Sequence, residues 1–139
     1  MTEPVIVERL LSDLGKLILR LERYRVRPID DLIEDEDSYS AVERVLEVAA
    51  QCCIDIASHI ISDDNLREPE SYADTFTSLC EGGVLPRELA SKLEAMAKFR
   101  NLLVHMYARI DPTKVYDVLQ TGPADLAAFV GAIRTYLRR

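Results

Sequence analysis

Arg100, His105 and Tyr107 are the residues of this chain whose types and spacing best suit chemistry on a phosphate ester. An arginine carries a permanently charged planar fork that matches phosphate oxygens. A histidine can both accept and donate a proton near neutral pH. The chain has only two histidines, His59 and His105, so one of them falls within this short segment. The segment is therefore the first place to look for a reaction site.

The helix that is expected to carry these residues constrains how they can act together. On an ideal helix Arg100 and His105 lie about 140° apart, whereas Arg100 and Tyr107 share nearly the same face. Asn101 and Arg109 each lie four residues from His105 and are its neighbours. One helix thus offers two polar edges. If the helix paired with its own copy across a two-fold axis, both edges could line one cleft, which predicts a site at a homodimer interface.

Composition indicates one globular domain spanning residues 1–139, because 48% of the residues are apolar and 29% are charged,. No uninterrupted apolar run approaches the roughly 18–20 residues of a membrane span, and the N-terminus lacks the features of a signal peptide. Cys52, Cys53 and Cys80 are odd in number and lack C-x-x-C spacing,. We therefore expect a cytoplasmic protein with reduced packing thiols, no metal site and no membrane partner.

The net charge of −7 argues against a broad electrostatic surface for nucleic acid. Proteins that bind nucleic acid in that way are usually basic, because each neutralised phosphate releases counterions. Any nucleic-acid contact of this chain must therefore be a local basic site, or its acidity must serve another partner.

Apolar residues recur at three- and four-residue steps along most of the chain, as in amphipathic helices,. A first helix is expected from about Val7 to Arg27-Pro28, since the residue before a proline avoids helical angles. A helical turn is expected at Leu32-Ile33. A second long helix should begin at the capping box Ser40-Ala41-Val42-Glu43 and fade at residues 62–65.

The second half of the chain continues the helical pattern. A short helix is expected at 72–80, followed by a fourth that starts near Pro86 and carries the Arg–His segment near its end. Asp111 should cap a short helix over 112–119, and Thr121-Gly122-Pro123 should separate it from a final helix. No strand-like alternation appears, so the sequence predicts an all-α bundle of about five to six helices.

The ordered set of Arg100, His105 and Tyr107 resembles the HEPN superfamily and, more closely, its HepT family of ribonuclease toxins. HepT members often show the pattern Arg-x4-His-x-Tyr, which these three residues match, and Asn101 supplies the polar residue common after the arginine. Met106 is a departure, because many members carry a polar or acidic residue there.

The resemblance covers essentially the whole chain. Residues 43–61 look like the long second helix of HepT proteins, and residues 79–86 look like their characteristic turn. It implies a HEPN-like homodimer that cleaves RNA without a metal or other cofactor.

In such a reaction the RNA 2′-hydroxyl attacks the adjacent phosphate, so no DNA partner is expected. The resemblance implies that His105 transfers a proton and that Arg100 holds the phosphate and stabilises charge in the transition state. Asn101 would donate a further hydrogen bond.

The resemblance also implies a cognate minimal nucleotidyltransferase as antitoxin, which transfers AMP onto Tyr107. AMP at this position would add bulk and negative charge where RNA phosphate must sit. Lys98, Arg109 and Lys114 are candidates for the local positive potential that RNA needs.

His59 and Asp55, four residues apart on the second long helix, could extend the cleft or form a structural pair.

Each residue of the motif also has a purely structural interpretation. Arg100 could be a solvated helix residue, His105 could complement a helix dipole, and Tyr107 could be a core-edge tyrosine. The rival functions are a non-catalytic HEPN scaffold, which dimerises and binds a nucleotidyltransferase or a nucleotide, and a purely structural helical subunit. The intact Arg100 and His105 pair favours the enzyme, since a scaffold has no need of it.

Overall fold

The computed structural model describes residues 4–105 and 110–139. These residues form six α-helices and no β-strand, which confirms the predicted all-α bundle. The helices are α1 (Pro4–Arg25), α2 (Ile29–Glu34), α3 (Glu36–Asp63), α4 (Tyr72–Glu81), α5 (Arg87–His105) and α6 (Pro112–Leu137). Three residues of the chemical segment and its flank, Met106, Tyr107 and Arg109, lie outside the described residues.

The central element is α3, which packs against each of the other five helices. Its apolar stripe, including Val45, Ala49, Ile56 and Ile60, is buried as the periodicity predicted. By length and composition alone α3 could cross a membrane, but 61% of its most apolar stretch is buried inside the bundle. That position is the one expected of a core helix in a globular protein.

The entry to α3 differs from the sequence prediction. The helix begins at Glu36 rather than at the Ser40 capping box, because Asp35 is the N-cap and its side chain accepts the amide N–H of Ser38 at 3.2 Å. The same carboxylate also accepts a hydrogen bond from Arg27 Nη2 at 3.2 Å. An acidic side chain suits both roles, since it satisfies a free N–H at the helix start and interacts favourably with the helix dipole.

The C-terminal part of the chain also differs. The predicted break at Thr121-Gly122-Pro123 is wrong, because α6 is one helix from Pro112 to Leu137 with Pro123 inside it. A proline within a helix removes one backbone hydrogen bond and crowds the preceding turn. Gly122 lacks the Cβ that would crowd the proline ring. Burial of Leu119, Leu126 and Phe129 along one continuous face compensates for the lost bond,.

Arg67 and a side-chain cap fix α4 in position. Ser71 Oγ accepts the amide N–H of Asp74 at 3.0 Å and caps the helix. Arg67, in the preceding connector, bridges Asp74 at 2.8 Å and Glu81 at 2.7 Å. The guanidinium lowers the pKa of Asp74 to about 2. These contacts tie α4 to the connector before it, and α4 packs beside α5, the helix that carries the candidate site.

The three cysteines are free thiols, as predicted. Cys52 and Cys53 are buried in the core, and burial raises the pKa of Cys52 to about 11. A protonated thiol is a weak nucleophile, so Cys52 acts as a packing residue.

Candidate functional site

The guanidinium of Arg100 lies between α5 and α4 in a half-buried position. Its Cζ atom stands 5.1 Å from the centroid of the Tyr72 ring, at the start of α4. Its Nη1 donates a hydrogen bond to Asn101 Oδ1 at 3.0 Å. Its buried Nε has no hydrogen-bond partner among the described residues. An aromatic face and a neutral amide thus hold Arg100 in place.

This environment leaves the charge of Arg100 available to an anion. No described carboxylate lies within ion-pair distance of it, so no negative side chain there neutralises the guanidinium. A phosphate bound to the guanidinium would offset this charge, and Arg forms strong, directional hydrogen bonds with phosphate.

His105 occupies a different place. It is the last residue of α5 and is exposed. No hydrogen bond joins it to Arg100 in the described part of the chain. Both residues belong to α5, and on an ideal helix positions 100 and 105 lie about 140° apart.

Lys98 and Lys114 line one groove of about 800 Å³ between α5 and α6. Both lysines are exposed. On an ideal helix Lys98 lies about 160° away from Arg100, so this groove flanks the opposite side of α5. Three cationic residues were expected to bind the substrate. The structure places two of them, Lys98 and Lys114, in one groove. The third, Arg109, lies outside the described residues.

Asp55 and His59 line a separate groove of about 550 Å³ between α1 and α3. Asp55 accepts a hydrogen bond from Gln51 Nε2 at 2.8 Å, so its carboxylate pairs with a neighbour other than His59. Ser58 belongs both to this groove and to a smaller one of about 430 Å³ that includes Tyr72. The two grooves adjoin, which links the surface of Asp55 and His59 to the ring under Arg100.

Tyr72 is the residue at this site that the sequence did not reveal. It is 46% exposed, and one face of it lies against Arg100. It precedes Arg100 by 28 residues and starts a different helix, so no local spacing signals the contact. Within the described ranges no group of three or more His, Cys, Asp or Glu side chains has the arrangement of a metal site.

The fold and the Arg–His helix define a class: helical ribonucleases of the HEPN type. Residues 14–133 match the family model described as ribonuclease HepT-like, and the chain belongs to this family. The expected enzyme class, an endoribonuclease, is thereby confirmed.

Individual relatives agree with the family. The tRNA nuclease HepT of Aphanizomenon flos-aquae is 31% identical over 137 residues, covering 97% of this chain and 92% of that protein. The mRNA nuclease HepT of Shewanella oneidensis is 33% identical over 89 residues, covering 64% of this chain and 67% of that one. A solved structure of the tri-AMPylated Shewanella oneidensis HEPN toxin in complex with the MNT antitoxin has a TM-score of 0.86 and 26% identity. The match covers 97% of this chain and 99% of that chain.

Proposed function

We propose that this protein is the toxin of a toxin–antitoxin pair, a homodimeric and metal-independent endoribonuclease of the cytoplasm. Arg100, Asn101 and His105 are its catalytic residues, in a composite cleft between two protomers. A cognate minimal nucleotidyltransferase is its antitoxin and neutralises it by transferring AMP onto Tyr107. The observation that carries the proposal is the environment of Arg100, a half-buried cation that contacts the Tyr72 ring and an amide oxygen and has no carboxylate partner among the described residues.

The chemistry follows from these residues. The 2′-oxygen of the RNA forms a bond to the adjacent phosphorus as its proton passes to a base, and the bond from phosphorus to the 5′-oxygen breaks as that oxygen takes a proton from solvent. His105 is the base, which is worth roughly 10²–10⁴-fold in rate. Arg100 binds the phosphate and stabilises the charge that develops on its oxygens. Asn101, hydrogen-bonded to Arg100, orients the guanidinium and can donate its own N–H to the phosphate.

A homodimer would bring Arg100 and His105 into one cleft. Because Arg100 and His105 lie on separate edges of α5, a two-fold pairing of this helix would bring one edge of each copy to the same cleft. Local positive charge in such a cleft is sufficient for RNA even though the chain as a whole is acidic.

Cleavage of RNA by variants tests the catalytic assignment. We expect Arg100→Ala and His105→Ala each to lower the cleavage rate by about 100-fold or more, with the dimer and the helical content retained. Arg20→Ala, which removes an exposed arginine from α1, should cleave like the wild type. The wild type should remain active in excess chelator. A fully active His105→Ala protein would refute the mechanism, and a dimer that binds the nucleotidyltransferase without cutting RNA would be the scaffold instead.

The mass of the protein after co-expression with its antitoxin tests the switch. The solved Shewanella oneidensis toxin is tri-AMPylated in complex with its MNT antitoxin, which supports the same modification here. We expect added mass equal to one or more AMP groups on the wild type and none on Tyr107→Phe. Tyr116→Phe, which changes a tyrosine that hydrogen-bonds the Arg27 carbonyl at 2.7 Å, is the control and should be modified normally. An inactive complex without added AMP would mean that the antitoxin blocks the site sterically.

A further inference from the structure

The groove between α5 and α6 is lined by more lysines than carboxylates. The sequence contains four lysines, and three of them, Lys92, Lys98 and Lys114, line this groove. Asp125 is the single carboxylate among the lining residues. Lys92 Nζ lies 4.0 Å from Asp125 Oδ1 and 3.6 Å from Glu88 Oε1, so its charge is offset. Lys98 and Lys114 make no ion pair with any described side chain. A local excess of positive charge thus remains in a chain of net charge −7.

Two residues that line this groove lie on the same face of α5 as His105. Lys98, Leu102 and His105 are spaced by four and three residues, so they form one stripe along α5,. The short connection from His105 to Pro112 keeps the end of α5 near the start of α6, while Lys92, earlier on α5, contacts Asp125, later on α6, so the two helices run antiparallel. Lys114, near the start of α6, therefore lies at the end of the groove where α5 reaches His105.

The floor of the groove is apolar. Met96, Phe99 and Val118 contribute to it, and Leu102 is 41% exposed at its edge. An exposed leucine beside unpaired lysines is a surface for a ligand that has both apolar faces and negative charge. Single-stranded nucleic acid is such a ligand, since its bases pack on apolar surface while its backbone follows cationic side chains.

We propose that the α5–α6 groove binds the RNA strand next to the cleaved bond, with phosphates on Lys98 and Lys114 and bases against Leu102 and the apolar floor. This inference rests on the proposed function, because it takes RNA as the substrate. It gives the two faces of α5 different tasks. The Lys98 face guides the strand along the protein to His105, while the Arg100 face supplies the phosphate clamp at the reaction centre.

Binding of a short fluorescein-labelled single-stranded RNA tests the groove, with every variant built on His105→Ala so that the RNA stays intact. We expect Lys98→Ala/Lys114→Ala to weaken binding by about tenfold. For this double variant, the slope of log affinity against log salt concentration should be about 1.4 units shallower than for the parent protein. Each lost contact to a single-strand phosphate reduces the slope by about 0.7. Lys16→Ala/Arg20→Ala, which removes two exposed cations from α1, is the matched control and should change neither quantity. Leu102→Ala should weaken binding with the salt slope unchanged.

Cross-linking supplies an independent measurement. RNA that contains 4-thiouridine should cross-link to peptides of α5 and α6 that line the groove, and Lys98→Ala/Lys114→Ala should reduce the yield. Equal affinity and slope in the lysine and control variants would overturn the proposal, as would cross-links confined to α1 and α3. Conversion of the lysine variant to a monomer would overturn it too, because the groove would then be an interface between copies.

The groove and the catalytic assignment can fail separately. If the lysine variant binds RNA normally while wild type cleaves and His105→Ala does not, only the groove is refuted. If wild-type protein cleaves no RNA from a total cellular extract, the proposed function fails, whatever the binding assay shows.

Discussion

Arg100 differs from several other arginines of the bundle in what surrounds its guanidinium. Arg25, Arg27, Arg67 and Arg134 each contact a carboxylate within 2.9 Å. Arg100 instead contacts the Tyr72 ring and an amide oxygen, although it is half-buried. A partner carboxylate would compete with a phosphate for the same fork of donors. The absence of one among the described residues is what makes Arg100 suitable for phosphate binding.

Tyr72 should matter through its ring face. A cation–π contact at an exposed position is worth about 0.5–1 kcal/mol, so we expect Tyr72→Leu to lower the RNA cleavage rate by roughly two- to fivefold. Tyr72→Phe keeps the ring and should retain wild-type activity. Rates at saturating RNA, measured alongside the thermal unfolding midpoint, would separate an effect on Arg100 from a loss of stability. Equal losses in both variants would show that the hydroxyl, rather than the ring, is required.

At the scale of elements, the α5–α6 hairpin determines where the cationic groups stand. Asp111 begins α6, because its Oδ1 accepts the amide N–H of Thr113 at 2.9 Å, as the sequence predicted. Lys114 follows in the first turn, so the cap sets its position relative to Lys98. The uninterrupted course of α6 past Pro123 then extends the wall of the groove as far as Asp125.

Removal of this cap should destabilise the protein. We expect Asp111→Ala to lower the free energy of unfolding by about 1 kcal/mol, because one amide N–H at the helix start loses its partner. Urea denaturation followed by circular dichroism measures the change. Asp117→Ala, which removes an exposed carboxylate within α6, is the matched control and should stay within about 0.5 kcal/mol of wild type. Similar losses in both variants would indicate a general effect of negative charge on α6.

At the scale of the whole molecule, the question is how two separated edges of one helix serve one reaction. The proposed answer is a homodimer in which Arg100 of one copy works with His105 of the other. The bundle is suited to this arrangement because α3 takes the central position and contacts all other helices. The α5 helix therefore lies at the periphery, with His105 exposed.

Mixing of two inactive variants tests the composite cleft. A heterodimer of one Arg100→Ala chain and one His105→Ala chain retains one complete pair, formed by Arg100 of the second chain and His105 of the first. Equimolar co-expression should restore about a quarter of wild-type activity, because half of the dimers are mixed and each has one intact site of two. The separately purified variants, which are homodimers, serve as the control. Activity that stays at the level of the single variants would place Arg100 and His105 of the same chain at one site.

The sequence by itself determined the helices and the residues of the chemical segment. Amphipathic periodicity is local, so α1, α3, α4 and α5 follow from the spacing of apolar residues, and the Asp111 cap follows from its own neighbourhood. The Arg-x4-His-x-Tyr pattern was also enough to indicate the HepT family. These features depend on residues within a few turns of one another.

Only the tertiary structure decided what each face of α5 meets. Tyr72 lies under Arg100 because α4 packs beside α5, and Lys98 joins Lys114 because α6 folds back antiparallel. The same reason explains the two wrong boundaries. Asp35 starts α3 while also bonding Arg27, and α6 passes through Pro123 because its buried face offsets the lost hydrogen bond. In each case the deciding interaction joins residues that the chain brings together only on folding, which local spacing does not encode.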